Sequence, residues 1–159
     1  MSRNTLQIVV AGLVENPQGE VLLIQRNNKG TSPNFWEDAG GRLHQSEKPE
    51  DGLKREIGEE TGIFDIEIIK PLTVFHNYLG KVKTAENEFV GISYWCKTKT
   101  SKVKLSDEHI DYQWVKPEQA IDIVDHPAVK QYIKIMLEEK QLAKEIDLLA
   151  YEKERLKNV

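Results

Sequence analysis

The 159-residue chain is poor in cysteine, in net charge and in long apolar runs, and each shortage excludes a class of protein. The only cysteine, Cys96, cannot form an internal disulfide, which favours a reducing, cytoplasmic setting. A formal net charge of −4 argues against an extended nucleic-acid-binding surface. No run approaches the roughly 20 apolar residues that a membrane span needs. The N-terminal apolar run is short and interrupted, so it predicts a strand and not a signal peptide.

The composition that remains, with 39% hydrophobic and 30% charged residues, is typical of one soluble globular domain. Apolar periodicity predicts strands over residues 6–14, 20–25, 66–75, 88–98 and 111–115, and helices over 49–61, 117–124 and 127–157. Pro71 predicts an edge or a bend in its strand. Gly40 and Gly41 predict a turn. Strands and helices do not alternate regularly, so we expect a mixed sheet covered by helices and not a doubly wound sheet.

Residues 41–63 carry acidic residues and glycines at fixed spacings. The residues at these spacings are Gly41, Glu47, Arg55, Glu56, Ile57, Glu59, Glu60, Gly62 and Ile63. Glu56, Glu59 and Glu60 stand at i, i+3 and i+4, so in a helix their carboxylates project from one face. Leu53 and Ile57 can anchor such a helix to a core while the glutamates face out. Gly62 after the last acidic pair predicts the end of the helix.

Three carboxylates on one helix face predict a bound cation. Like charges at this spacing destabilise a bare helix by a few tenths of a kcal/mol per pair, so a compensating ion is expected. Oxygen-only ligands favour Mg²⁺ or Mn²⁺ over zinc. Arg55 is expected to bind a carboxylate or phosphate through its planar fork, and Gly40 and Gly41 allow close approach of the backbone to a ligand. The alternative is a solvated acidic helix.

The spacing over residues 41–63 matches every fixed position of the Nudix box, G-x5-E-x7-R-E-U-x-E-E-x-G-U, where U is a bulky aliphatic residue. The chain therefore resembles the Nudix hydrolases over roughly residues 5–137. The resemblance implies an α/β/α sandwich with a mixed sheet, formed by a domain over residues 1–137 and a helical extension over 138–159. It implies Mg²⁺- or Mn²⁺-dependent hydrolysis of a nucleoside triphosphate, a dinucleoside polyphosphate or a nucleotide sugar. A catalytically silent, nucleotide-sensing module is the alternative.

The resemblance also assigns roles within the box. Glu56, Glu59 and Glu60 are implied as metal ligands, and one of them could act through a metal-bound water or as the base. The backbone carbonyl of Gly40 is implied as a further ligand. Support of the catalytic helix is implied for Glu47, Arg55, Gly41 and Gly62.

Outside the box the implied assignments have alternatives. Glu108 is the first choice for an additional metal ligand or catalytic base, with Glu86 and Glu88 as alternatives and a solvated loop acid as the plain interpretation. Tyr78 stands about where diadenosine-polyphosphate hydrolases carry a tyrosine, although a core or surface ring is the alternative. Phe35 and Arg42 complete the substrate-binding candidates.

The C-terminal stretch beyond residue 137 continues an apolar stripe. Leu142, Ile146, Leu149 and Leu156 recur at a spacing of three to four residues. Such a stripe predicts pairing with a second subunit, hence a homodimer, or folding back onto the same chain.

Overall fold

The fold is a mixed sheet of seven strands with helices on both faces. The computed structural model describes residues 6–30, 32–80 and 82–157. The elements are β1 (Gln7–Glu15), β2 (Val21–Arg26), β3 (Trp36–Glu37), β4 (Ala39–Arg42), α1 (Pro49–Thr61), β5 (Glu67–Tyr78), β6 (Glu88–Lys97), β7 (His109–Val115), α2 (Pro117–Ile123) and α3 (Pro127–Lys157). This architecture confirms the predicted α/β/α sandwich with a mixed sheet.

β1 is the central strand of the sheet. It pairs in parallel with β6 along its whole length and antiparallel with β4, and its last residue meets the start of β2. β5 forms one edge of the sheet, and its register with β6 shifts between Pro71 and Thr73. Proline cannot donate to a strand ladder, so the edge and the bend predicted from Pro71 are both confirmed.

The alternation of side chains along β1 divides the core into two layers. Val10 and Val14 face α1, where they join Leu53 and Ile57 in one buried cluster. Leu13 faces the opposite side, where it packs with α2 and α3. Burying each large aliphatic side chain stabilises the fold by roughly 1.5–3 kcal/mol. Both helix layers are thereby fixed to the strands that carry the site.

The predicted turn at Gly40 and Gly41 is wrong, because these residues form β4 and pair with β1. β4 and the short β3 lack the branched apolar residues by which strands are recognised. A Cβ on Gly40 would overlap the backbone of Val10. The glycine pair therefore serves a close strand contact instead of a reversal of the chain.

α3 runs unbroken over 31 residues, and its side chains from residue 141 onward are exposed. The alternative in which this end folds back onto the domain is therefore wrong, while pairing with a second subunit stays a prediction. The predicted domain limits include residues 1–5, 158 and 159, which lie outside the described residues. Among the residues described, no helix is long and apolar enough to cross a membrane. Cys96 is buried, and burial raises the pKa of its thiol to about 12.

Candidate active site

α1 begins at Pro49 and ends at Thr61, as predicted, and Gly62 terminates it in the left-handed conformation at φ 69°. The prediction that all three glutamates face out is wrong. The side chain of Glu59 is 59% exposed, but that of Glu56 is 15% exposed and Glu60 is buried at 8%. The cause is the packing of α1 against β4, which turns positions 56 and 60, one helical turn apart, toward the sheet.

Arg55 is the centre of a network of charged hydrogen bonds. Its Nε and Nη2 each donate to a different carboxylate oxygen of Glu47 at 2.8 Å. Its Nη1 donates to Glu56 Oε1 at 2.7 Å and to Glu59 Oε2 at 3.2 Å. Nη2 also donates to the carbonyl oxygen of Arg42 at 3.0 Å. The sequence-predicted pair of Arg55 and Glu47 is thus brought together in two-pronged geometry, the strong form of this contact.

The same network sets the ionisation of Glu47. Hydrogen bonds from Arg55, and from the backbone N–H of His44 at 2.9 Å, lower the pKa of Glu47 to about 2. The pKa of Arg55 is raised in turn, mainly by its bonds to Glu47. Both partners remain charged over the whole neutral range.

Glu60 points into the protein, toward β4. The backbone N–H of Gly40 donates to Glu60 Oε2 at 2.8 Å. Burial raises the pKa of Glu60 well above its ordinary value, and the bond from Gly40 opposes this rise only in part. A cation beside the carboxylate would favour its ionised form.

The carboxylates of Glu56, Glu59 and Glu60 are ligands that fit a hard divalent cation. Their oxygens point to different partners and do not converge on one point. Within residues 6–30, 32–80 and 82–157, no three acidic, histidine or cysteine side chains are grouped to hold a metal. Glu56 and Glu59 turn to Arg55, whereas Glu60 turns to Gly40. The carboxylate of Glu56 lies over Gly41, in space that a Cβ there would fill. These oxygen ligands suit Mg²⁺ or Mn²⁺.

A cavity of about 830 Å³ opens between the sheet and the start of α3. It brings together four residues predicted from the sequence, namely Phe35, Arg42, Tyr78 and Glu108. Gly40 lines it as well. Because Gly40 also binds Glu60, this residue joins the acidic helix to the cavity. The alternatives Glu86 and Glu88 lie outside this lining, and Glu88 pairs with His76 at 2.7 Å.

Two cavity residues, Asp38 and Tyr132, were not found from the sequence. Asp38 is 8% exposed, and its Oδ2 has no hydrogen-bond partner among the described residues. Burial raises the pKa of Asp38 to about 7, and the neighbouring Tyr132 hydroxyl partly opposes the rise. The pKa of Tyr132 is itself raised well above its ordinary value, first by burial and then by Asp38. The sequence gave no signal that Asp38 is buried, because Asp38 and its neighbour Tyr132 are far apart in the chain.

His109 was also missed, although it follows Glu108 directly. Its imidazole is fully buried, with Nε2 lying 3.6 Å from Glu37 Oε1 and 3.8 Å from Glu60 Oε1. In the part of the chain that the structure describes, Nε2 has no hydrogen-bond partner, while Nδ1 lies 3.3 Å from Ser106 Oγ. It is the first residue of β7, and no pattern in the sequence predicts the burial of its ring. The ring therefore separates two carboxylates of the site.

Comparison with known proteins places this geometry in a family. The model of the NUDIX domain matches residues 5–138. Nucleoside triphosphatase NudI of Escherichia coli is 26% identical over 132 residues, which cover 80% of this chain and 94% of that protein.

Solved structures agree with this placement. The MutT protein from Methanosarcina mazei Go1 is 27% identical with a TM-score of 0.71, over 88% of this chain and 99% of that one. An Ap4A hydrolase of Caenorhabditis elegans, 20% identical with a TM-score of 0.69 over 87% of this chain and 99% of that one, shares the fold.

Proposed function

The chain belongs to the Nudix family and is a hydrolase of phosphorus-containing anhydrides, and we propose that it cleaves a pyrophosphate bond of a nucleoside triphosphate with Mg²⁺ or Mn²⁺. The observation that carries the proposal is the position of Gly40, which binds Glu60 through its N–H and lines the 830 Å³ cavity. The acidic helix and a ligand-sized space therefore meet at one residue. The name of its relative NudI, a nucleoside triphosphatase, supports this class of substrate.

In this proposal the nucleoside of the substrate binds in the cavity, and its phosphates bind beside the acidic helix α1. Small-molecule sites measure roughly 300–1,000 Å³, so the cavity has room for a nucleoside. Phe35 and Tyr78 line it and offer aromatic faces for a base. Arg42 lines it next to Gly41 and offers a cation to the phosphates. Dinucleoside polyphosphates and nucleotide sugars remain the alternative substrates within this proposal.

Glu56, Glu59 and Glu60 would hold the divalent cation, with the Gly40 carbonyl as a further ligand. When bound, such an ion neutralises the diphosphate and lowers the pKa of the attacking water. Arg55 contributes by holding Glu56 and Glu59 through one nitrogen, Nη1, so that both carboxylates stay on one side of α1.

The chemical step is an attack of water on phosphorus. The new P–O bond forms from water, the P–O bond to the leaving phosphate group breaks, and a carboxylate accepts the proton. Glu108 lines the cavity and is our choice for that carboxylate or for an additional ligand. Little covalent chemistry is required of the protein, because positioning and charge stabilisation supply most of the rate.

A hydrolysis assay over nucleoside triphosphates, dinucleoside polyphosphates and nucleotide sugars, with Mg²⁺, Mn²⁺ or EDTA, tests the proposal. Glu59→Gln and Glu60→Gln should each lower kcat by about 100-fold or more, while circular dichroism shows an intact fold. Glu50→Gln is the matched control, because Glu50 is exposed in the first turn of the same helix. Wild-type rates in both site variants would sink the assignment. Nucleotide-induced thermal stabilisation without turnover would instead favour the silent sensing module.

We propose a cytoplasmic setting for the protein, which suits the lone buried thiol of Cys96. We also propose a homodimer that forms through the exposed end of α3. The support is the exposure of Leu142, Ile146 and Leu149, each more than half exposed on one helical stripe. Sedimentation should show a monomer for a chain truncated after Lys140 and a dimer for the full chain. The same number of subunits in both would contradict the dimer.

A further inference from the structure

The buried ring of His109 lies beside Glu60 and has one nitrogen without a partner. Its Nε2 lies 3.8 Å from Glu60 Oε1 and 3.6 Å from Glu37 Oε1, too far for a hydrogen bond to either. Within the part of the chain that the structure describes, no other group bonds to Nε2. A buried polar group without a partner destabilises a fold. The position of this nitrogen therefore needs a reason beyond packing.

Backbone hydrogen bonds fix His109 relative to Glu60. The N–H of Ser106 donates to the backbone carbonyl of Glu60 at 3.0 Å, and the N–H of His109 donates to the carbonyl of Ser106 at 3.2 Å. Asn27 also holds this loop, since its Nδ2 donates to the carbonyl of Asp107 at 2.8 Å. The ring is therefore held beside the Glu60 side chain before any ligand binds.

The contacts of the ring place its proton on Nε2. Glu37 Oε1 accepts from the guanidinium of Arg26 at 2.9 Å, so it is an acceptor and favours a donor in the ring that faces it. Nδ1 lies 3.3 Å from Ser106 Oγ, whose hydroxyl can donate to it. A neutral imidazole that accepts at Nδ1 carries its proton on Nε2. His109 therefore presents an N–H to the two carboxylates.

Glu60 is the carboxylate that this N–H can complete, because Glu37 already has Arg26 as its partner. Glu60 Oε2 accepts from the backbone N–H of Gly40 at 2.8 Å, and Oε1 is the oxygen that faces the ring. A shift of about 1 Å would bring Oε1 within hydrogen-bond distance of Nε2. A cation beside Glu60 favours the ionised carboxylate, which accepts at both oxygens. Hydrogen bonds to a ligating carboxylate orient it toward its metal.

We propose that His109 is a positioning residue of the metal site, which donates from Nε2 to Glu60 Oε1 when Glu60 holds the divalent cation. The inference rests on the proposed function in one respect, since it takes Glu60 as a ligand. The plain alternative is a ring that only packs beneath its loop.

Binding of Mn²⁺ in the absence of substrate, measured by electron paramagnetic resonance of the free ion, tests the proposal. His109→Gln keeps an N–H near the position of Nε2, whereas His109→Asn keeps one only near that of Nδ1. Affinity for Mn²⁺ should fall by about 10–100-fold in His109→Asn and stay within about 3-fold of wild type in His109→Gln. Asn27→Ala is the control for packing, because it loosens the same loop. It should lower Tm and leave the affinity for Mn²⁺ unchanged.

The outcomes separate this inference from the proposed function. Equal Mn²⁺ affinities in His109→Asn and His109→Gln overturn the inference and leave the hydrolase standing, and so does an equally large fall in Asn27→Ala. Mn²⁺ binding that depends on Nε2, without hydrolysis of any nucleotide, keeps the inference and overturns the proposed function.

Should His109→Asn fail to fold, nitrogen NMR of the histidine rings in the wild-type protein decides. His109 should be protonated at Nε2, and the signal of that proton should move downfield when Mg²⁺ is added. Protonation at Nδ1 alone, or a signal that Mg²⁺ leaves unchanged, overturns the inference.

Discussion

Glu47 and Asp38 are carboxylates of the same region, yet the fold treats them in opposite ways. Glu47 accepts from two nitrogens of Arg55 and from the backbone of His44, and its pKa falls to about 2. Asp38 is buried with one oxygen unused, and its pKa rises to about 7. On the α1 side, donors keep Glu47 ionised beside the proposed cation site. On the α3 side, burial dominates and raises the pKa of Asp38.

The largest expected effect is on the pH dependence of stability, through Asp38→Asn. The pKa of Asp38 is raised from 3.8 to about 7 in the folded protein, so between these values the folded state binds more protons than the unfolded state. The contribution of Asp38 to stability is therefore full below its unfolded pKa of 3.8, and it is lost as the pH rises through its folded pKa of about 7. Relative to wild type, the variant should therefore gain on the order of 4 kcal/mol in free energy of unfolding above that pH.

Urea denaturation at about pH 4, 6 and 8 measures this gain. Asp122→Asn serves as the control, because Asp122 is an exposed acid on α2. A constant difference between Asp38→Asn and wild type at all three pH values would show that Asp38 has an ordinary pKa in the folded protein.

The next effect is on activity, through Arg55. Removal of a residue that orients metal ligands lowers metal affinity or activity by roughly 10–100-fold, and we expect a loss in this range for Arg55→Ala. Arg55→Lys keeps the charge but cannot reach Glu47 with two nitrogens, so its activity should lie between those of the other two proteins. Steady-state kinetics against Mn²⁺ concentration measures the loss. Lys54→Ala, exposed on the same helix, is the control.

Full activity in Arg55→Lys would contradict this account. It would show that a positive charge suffices near Glu56 and that the fork geometry has no role.

The two regions also differ in how far the sequence predicts them. α1, Gly62 and the pair of Glu47 and Arg55 lie within one short segment, where spacing along a helix determines what meets. β3 was missed because it is only two residues long, and β4 because its glycine pair carries no strand signal. The contact of Asp38 with Tyr132 joins residues that only tertiary packing brings together. One sequence contains no pattern for such a contact.

Tyr132→Phe tests the buried region with a smaller change. The hydroxyl of Tyr132 opposes the rise in the pKa of Asp38, so its loss should raise that pKa further. The variant should lose about 1–2 kcal/mol at alkaline pH, where Asp38 is ionised, and less near pH 5, where it is protonated. Denaturation at both pH values measures the difference. Combined with Asp38→Asn, the effect of Tyr132→Phe should lose its pH dependence, and its persistence there would assign the effect to another group.

Glu47→Gln should give the smallest effect, because it leaves Arg55 in place and removes only the charge that the guanidinium faces. Arg55 then draws Glu56 and Glu59 more strongly, since they are its remaining anionic partners. Those carboxylates become poorer ligands, so the Mg²⁺ concentration for half-maximal rate should rise a few-fold while kcat changes less.

With its pKa at about 2, Glu47 is ionised across the neutral range, and the ratio of variant to wild-type activity should be constant from about pH 5 to 9. Titrations with Mg²⁺ at several pH values, with Glu50→Gln as control, measure both quantities. A fall in kcat as large as that of Arg55→Ala would place Glu47 among the groups that touch the metal or the substrate.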